Sequence, residues 1–491
     1  MLFHRLDFFA FFLVVLALYA CLGKRAQNTL LLVASYYFYA QWDYRFTLLL
    51  FGVTLVNFVF GHLIYINKGH AKLWLWSSAL LSLGVLGYYK YYNFFIDNAL
   101  AFFAMMGLPF SSQATAVILP VGVSFFTFQA LSYPIDIYRG DTRPGSASHG
   151  DLTFSSAVGD FLDFALYVSF FPQLVAGPIE RSRDLLKQIL ADRQVTRDQI
   201  ETGLWLFCLG LAMKIGVADE IAPQVDAVYA NVAAHSFWAI YAATVAFALQ
   251  IYCDFAGYTF MARGVASLMG FTLTNNFLQP YLASSFQDFW RRWHISLSTW
   301  FRDYFYIPLG GNRHGPVRTY ANLAATMVVV GLWHGATWAY VLWGVFHGAL
   351  LAVERFAMGK IKILFPGLAL TGFGALAASA AGRVVVLQGV LAGWFLFRVG
   401  DLSVVSRIVE EGKGWTWGGF ADLPLSFPDA LPYVSFLLIV ALYETPCYRR
   451  GEEIHPARFS APHRTALYLV LAMIIMSSVG MKDAPFIYFQ F

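Results

Sequence analysis

The chain has 491 residues, of which 58% are hydrophobic and only 13% charged, with a formal net charge of +4. Globular proteins carry about 25% charged residues, so this composition, with a mean hydropathy of +0.58, argues against a soluble enzyme. There is no basic block long enough to bind nucleic acid. Aromatic residues make up 18%, which suits a polytopic membrane protein with Trp and Tyr at both interfaces.

Apolar stretches recur along the chain at 8–22, 28–40, 46–66, 73–89, 115–135, 161–176, 203–218, 237–253, 257–273, 321–333, 336–353, 384–397, 431–445 and 465–480. Several fall short of the ~20 residues that a full span needs, so about ten to twelve crossings are expected, with re-entrant and interfacial helices making up the rest. The first run ends in Leu18-Tyr19-Ala20-Cys21, a poor lipoprotein cleavage box, and Lys24-Arg25 follow it as an orienting loop. It reads as a retained first membrane segment. The segment from Phe171-Pro172-Gln173 to Gly177-Pro178 breaks helices and is expected to shape a loop that dips into the protein. Residues 180–202 carry Arg181, Arg183, Lys187, Arg193 and Arg197 and are expected inside by the positive-inside rule. The acidic break 217–236, with Asp219, Glu220 and Asp226, is expected outside. Residues 284–319, with five arginines, return inside.

Residues 321–353 then form a hairpin with its turn near Gly335. The arm 321–333 would be about 20 Å of helix at ~1.5 Å per residue, short of a ~30 Å hydrocarbon core. That shortfall places His334 within the membrane, where it needs a polar, water-lined pocket. Beyond 384–397, loop 399–430 carries Asp401, Glu410, Glu411, Asp422 and Asp429 against Arg407 and Lys413, so it is expected outside. Trp415 and Trp417 would give a docking partner apolar anchors there. Cys21, Cys208, Cys253 and Cys447 form no CxxC and read as buried thiols. No internal repeat or linker divides the chain, which is expected to be one domain over 1–491, with a catalytic region at about 170–355 and C-terminal helices at about 384–480.

Two histidines stand out. His334, in Gly331-Leu332-Trp333-His334-Gly335, reads as a general base, the two glycines letting backbone or substrate come close. The plainer alternative is a core histidine bonded to a carbonyl in a tight hairpin. His347, in Phe346-His347-Gly348, reads as structural as readily as catalytic. His294 follows an amphipathic stretch in which Phe286, Phe289, Trp290 and Trp293 form a stripe and Arg291 and Arg292 point away. An interfacial helix that snorkels its arginines explains the arginines but not His294 beside Ser296 and Ser298. His294 is therefore expected to polarise a donor carbonyl or orient a substrate. Asp254, within Tyr252-Cys253-Asp254-Phe255-Ala256-Gly257-Tyr258, would pair with an arginine or line a polar path. There is no G-x-S-x-G, H-E-x-x-H, Walker A or G-x-G-x-x-G, so hydrolase, zincin, ATPase and dinucleotide readings lose their anchors.

Asp288-Phe289-Trp290-Arg291-Arg292-Trp293-His294-Ile295-Ser296 followed by Gly331-Leu332-Trp333-His334-Gly335 resembles the membrane-bound O-acyltransferases, in particular their bacterial cell-surface branch. The Tyr252–Tyr258 run, Gly310-Gly311-Asn312-Arg313, the Phe171–Pro178 segment and the closing Phe486-Ile487-Tyr488-Phe489-Gln490-Phe491 share the likeness, which covers most of 30–355. One departure is Cys253 where relatives often have Phe. The resemblance implies an all-α polytopic integral membrane protein, a ring of helices around a central tunnel. His334 takes the position of the family's catalytic histidine, and His294 that of its second active-site residue. Asp254, Tyr258, Asp288, Trp290, Arg291, Trp293, Ser296, Asn312 and Trp333 become expected substrate-binding or tunnel-lining residues. No metal and no bound cofactor is implied. The donor substrate would be a cytoplasmic acyl thioester, acetyl-CoA or an acyl carrier, and the location the bacterial inner membrane. Expected partners are the lipid bilayer and an extracytoplasmic acetyltransferase that modifies polysaccharide. The acceptor expectation is an alginate-like exopolysaccharide, with cellulose, peptidoglycan or teichoic acid as alternatives. A lipid or protein acyltransferase is a further reading within the enzyme class. A proton-coupled transporter is the rival of another class, but the chain lacks the repeated halves common there.

Overall fold

Apolar runs without interior breakers fold here as helices, because in lipid a backbone can satisfy its own N–H and C=O groups only that way or in a closed barrel. The computed structural model describes all residues except 109–116, 146–153, 233–234, 365–371, 412–426, 479, 481–483 and 488–491. Among the described residues the only β pairing is an isolated antiparallel bridge between Phe277 and Trp293. Helices Arg45–Ile66, Arg197–Tyr229, Phe237–Leu268, Trp338–Ile361, Ala377–Val399 and Ala430–Arg450 are long and apolar enough to cross a bilayer, and Leu6–Ala20 is a shorter apolar helix. The protein is an all-α polytopic membrane protein. The docking loop expected around Trp415 and Trp417, and most of the closing motif, lie outside the described residues. Residues 402–411 of the expected acidic loop are helical.

The chain divides into two units, Met1–Phe207 with Tyr258–Thr274, and Cys208–Gly257 with Asn275–Phe491. In the first unit, a polar staple joins distant segments. Arg193 donates to the Tyr19 hydroxyl at 2.9 Å and to the carbonyls of Gln188 and Ile189, while Asn28 donates to Asp163 at 2.8 Å. The Phe171–Pro178 segment is buried, as expected, and begins as the short helix Phe171–Leu174. Gln173 donates to the Tyr167 carbonyl at 2.8 Å. Glu180, 2% exposed, accepts from the backbone N–H and hydroxyl of Thr274. Burial pushes its carboxyl up to about 7, the Thr274 bonds acting the other way.

The helices depart from the expectations in three places. The stretches 237–253 and 257–273 are not separate segments: the helix Phe237–Leu268 runs 32 residues straight through Asp254. The break expected outside at 217–236 is helical at Asp219–Tyr229, and Asp219 is buried. Both follow from one ion cluster, in which Lys214 lies 2.7 Å from Asp219 and 2.8 Å from Asp254. A charge that interrupts an apolar window need not interrupt a helix when a partner neutralises it. Asp254 thus pairs with a lysine instead of an arginine. It also accepts the Ile487 N–H at 2.7 Å, and Lys214 donates to the Ala484 carbonyl at 3.3 Å. Thirdly, the arm carrying His334 is the 20-residue helix Gly315–His334. At ~1.5 Å per residue it spans about 30 Å, so arm length does not set the depth of His334. The turn does fall at Gly335, before the helix Trp338–Leu364. Cys253 and Cys447 are buried, whereas Cys208 is exposed on its helix and Cys21 is exposed just past the end of the helix Leu6–Ala20.

Candidate active site

His294 is held by its neighbours' backbones. The bridge between Phe277 and Trp293 and a bond from the Leu278 N–H to the Arg292 carbonyl end the helix Phe286–Arg292. Asn276 then caps the next helix, Ile295–Phe301. Its carbonyl accepts the Ile295 N–H at 3.0 Å and its side-chain oxygen accepts the Ser296 N–H at 3.1 Å, satisfying donors that a helix start leaves open. His294, caught between the two helices, sits at φ 44°. A non-glycine residue in this left-handed region carries strain, and such strain clusters at functional sites.

His334 comes from the opposite construction, the last residue of a long helix. The Gly315–His334 and Trp338–Leu364 helices approach so closely that a Cβ on Gly331 would lie 2.2 Å from the Tyr340 carbonyl oxygen. One on Gly335 would lie 2.1 Å from the Tyr340 ring. The glycines flanking His334 are therefore required for helix contact, and this contact fixes where the imidazole points.

The two imidazoles meet, with ring centroids 6.5 Å apart. Trp333 lies against both, 5.7 Å from His294 and 5.0 Å from His334. Phe255 packs edge-on to His294 at 4.7 Å, and Trp343 and Phe397 flank His334 at 5.2 and 5.4 Å. Both histidines are buried. Two imidazoles this close in an aromatic surround can act on two ends of one reaction, one taking a proton and the other facing a carbonyl oxygen.

The other expected site residues separate into distinct roles. Trp293 is buried as the centre of an aromatic cluster with Phe277, Phe289 and Trp394, at 5.1, 5.7 and 4.8 Å. Asp288 pairs with Arg292 at 2.8 Å, and Arg292 stacks on Tyr448 at 4.8 Å and donates to the Leu278 carbonyl. Arg292 is thus folded onto the protein and does not snorkel. Asp254 belongs to the ion cluster, but its neighbour Phe255 touches His294. Tyr258 is part of the first unit, stacked on Phe3. Trp290, Arg291 and Asn312 line a groove of about 1470 Å³ that Ser298, Arg302 and Arg355 also border.

Three contributors escaped the sequence reading. Glu354 accepts the backbone N–H groups of Phe286 and Gln287, so a carboxylate on another helix caps the one that carries Trp290. Asn276 builds the His294 turn. Asn322 donates to the carbonyls of Gly311, at 2.9 Å, and Leu309, at 3.3 Å, holding the loop that presents Asn312. No local pattern announces any of these, because each partner lies 11 to 68 residues away in sequence.

Residues 105–366 match the model of the membrane-bound O-acyltransferase family. The chain is 36% identical to a probable alginate O-acetylase of Pseudomonas putida, over 98% of each protein. It is 35% identical to a peptidoglycan O-acetyltransferase of Helicobacter pylori, over 98% of this chain and 96% of the relative. A teichoic acid D-alanyltransferase of Streptococcus thermophilus is 29% identical over 50% of this chain and 59% of its own length.

Proposed function

This chain belongs to the membrane-bound O-acyltransferase family, and on that premise we propose that it moves an acetyl group from a cytoplasmic thioester to a hydroxyl, for O-acetylation of an exopolysaccharide of alginate type. The observation that carries the reading is the pair of buried imidazoles with centroids 6.5 Å apart. His334 takes the proton of the acceptor hydroxyl as its oxygen attacks the thioester carbonyl. His294 faces the carbonyl oxygen and stabilises the charge that gathers there. The carbon–sulfur bond breaks, the proton passes to the departing thiolate, and an ester and a free thiol remain. Transfer is direct, with no acyl-enzyme.

The groove supports the donor side. Arg291, Arg302 and Arg355 stand exposed among its lining residues, and guanidinium groups suit the phosphates that both CoA and a carrier-protein thioester bear. The acceptor assignment draws on the relatives: two of the three act, by name, on alginate or peptidoglycan. An extracytoplasmic transferase would receive the acyl group at the inner membrane of a polysaccharide-secreting cell.

The test is acetyl transfer by purified protein in liposomes. His334→Ala is expected to lower acceptor-dependent thioester cleavage by about 10²-fold or more, the range for loss of a general base, in protein of unchanged melting temperature. Wild-type turnover in that variant would remove His334 from the mechanism. Cleavage that ignores the acceptor would sink the transfer reading.

A further inference from the structure

The groove and the histidine pair are separated by a thin aromatic wall. Trp290, which lines the groove, packs on Trp343 at 5.7 Å and on His347 at 5.2 Å. Trp343 meets His334 on its other side at 5.2 Å, and His347 at 4.7 Å. An imidazole is thus embedded in the wall. It is 2% exposed, and among the described residues its Nδ1 has no hydrogen-bond partner. Leaving a buried polar group unsatisfied is costly, and Phe or Leu would fill the same space without that cost. Room for the ring is also kept open from the facing helix: a Cβ on Gly393 would come within 2.4 Å of Nε2. On its own helix, His347 precedes Leu350, Leu351 and Glu354 at steps of three, four and seven, so they share a face. All three line the groove.

We propose that His347 binds the amide-bearing arm of the thioester as it passes from the groove to His334. The inference rests on the thioester donor assigned above. Acetyl-CoA and an acetylated carrier protein end in the same pantetheine arm, whose secondary amides interrupt otherwise apolar methylenes. A neutral imidazole offers one donor and one acceptor, which matches an amide, while the Trp290 and Trp343 rings match the methylenes. The arm enters by displacing the Trp290 ring, and His347 regains the partner it lacks in the closed wall.

The experiment compares two acetyl thioesters on liposome-embedded protein: S-acetyl-pantetheine and an amide-free alkyl thioester of equal length. His347→Phe is expected to lower kcat/KM for the first at least tenfold and to leave the second within twofold. His347→Gln, which keeps a donor and an acceptor, is expected to recover most of the loss. Gly393→Ala, which pushes the ring with His347 intact, should reproduce the selective loss. An equal loss on both thioesters would make His347 a packing residue, and no loss on either would exclude it from the path; each result overturns the inference. Acetyl-CoA and an acetylated carrier protein, run in parallel, identify the physiological source. Both carry the arm, so the His347 penalty should follow whichever is used. A wild-type protein that cleaves none of these thioesters would instead remove the donor reading, and this inference with it.

Discussion

His294 is the residue whose backbone says most. A left-handed φ is tolerated by Asn far better than by a β-branched side chain, and the surrounding bonds to Asn276 run through main-chain atoms of Ile295 and Ser296. His294→Asn should therefore fold normally and lose acetyl transfer at least tenfold. His294→Val should lose both activity and about 1–3 kcal/mol of stability, read as a drop in melting temperature in detergent. Equal melting temperatures for the two variants would show that the turn carries no strain. The residue was visible in sequence because a histidine in an apolar stretch has few structural excuses. Its turn was not visible, since Asn276 acts from 18 positions upstream of it. Glu180 gives a second residue-scale test. Its folded pKa, about 7, lies above the ordinary carboxyl value of 4.5, so its stabilising contribution is full below about pH 4.5 and is lost as pH rises through 7. Wild-type protein should therefore melt lower at pH 8 than at pH 5, by a term on the order of 3 kcal/mol. Glu180→Gln should reduce that slope, and an unchanged slope would mean that other groups set it.

Among the helices, the hairpin around Gly335 decides the geometry of His334. Gly331→Ala and Gly335→Ala both overpack the contact, at a cost of about 1–3 kcal/mol each, but they differ in what could relieve it. The Gly335 Cβ meets a side chain, the Tyr340 ring, whereas the Gly331 Cβ meets the Tyr340 backbone oxygen. Measured against Tyr340→Ala alone, which itself removes a buried aromatic ring, Gly335→Ala should add little further loss, whereas Gly331→Ala should keep its full cost, as melting temperatures of the single and double variants would show. Relief of both, or of neither, would mean that the hairpin yields elsewhere. The turn at Gly335 could be read from the break in apolar pattern. The length of the first arm could not, because Gly315–His334 begins in a polar run, Gly-Pro-Val-Arg-Thr, that a hydropathy window discards although Pro near a helix start favours the helix. The same blindness split Phe237–Leu268 at Asp254. Periodicity registers that a charge is present, and only the fold shows that Lys214 neutralises it.

For the whole molecule, membrane character and family were legible from composition and from a few ordered motifs, while the division into two units was not, since no linker marks it. The ion cluster binds the second unit together across long stretches of chain. Breaking a buried pair costs about 3–5 kcal/mol because the survivor is left charged and alone. Lys214→Met should accordingly destabilise the protein by that order, whereas Lys214→Met with Asp254→Asn and Asp219→Asn should recover part of it. A triple variant no better than the single would place the cluster's value in shape instead of charge.

The cluster also sets a timetable. Lys214 and Asp254 are synthesised early, yet their bonds to Ala484 and Ile487 span 270 and 233 residues. At ~5–20 residues per second, the ribosome needs on the order of 10–50 s to deliver those last partners. Through that interval the nascent protein holds an unfinished charged knot beside Phe255, the ring on which His294 rests. The packing of Phe255 on His294 is thus expected to be complete only once residues 484–487 have been made and have closed on the cluster. Chains truncated before residue 484 should show weaker His294–Phe255 cross-linking than chains that include residue 487, and equal cross-linking would show that this contact does not depend on those bonds.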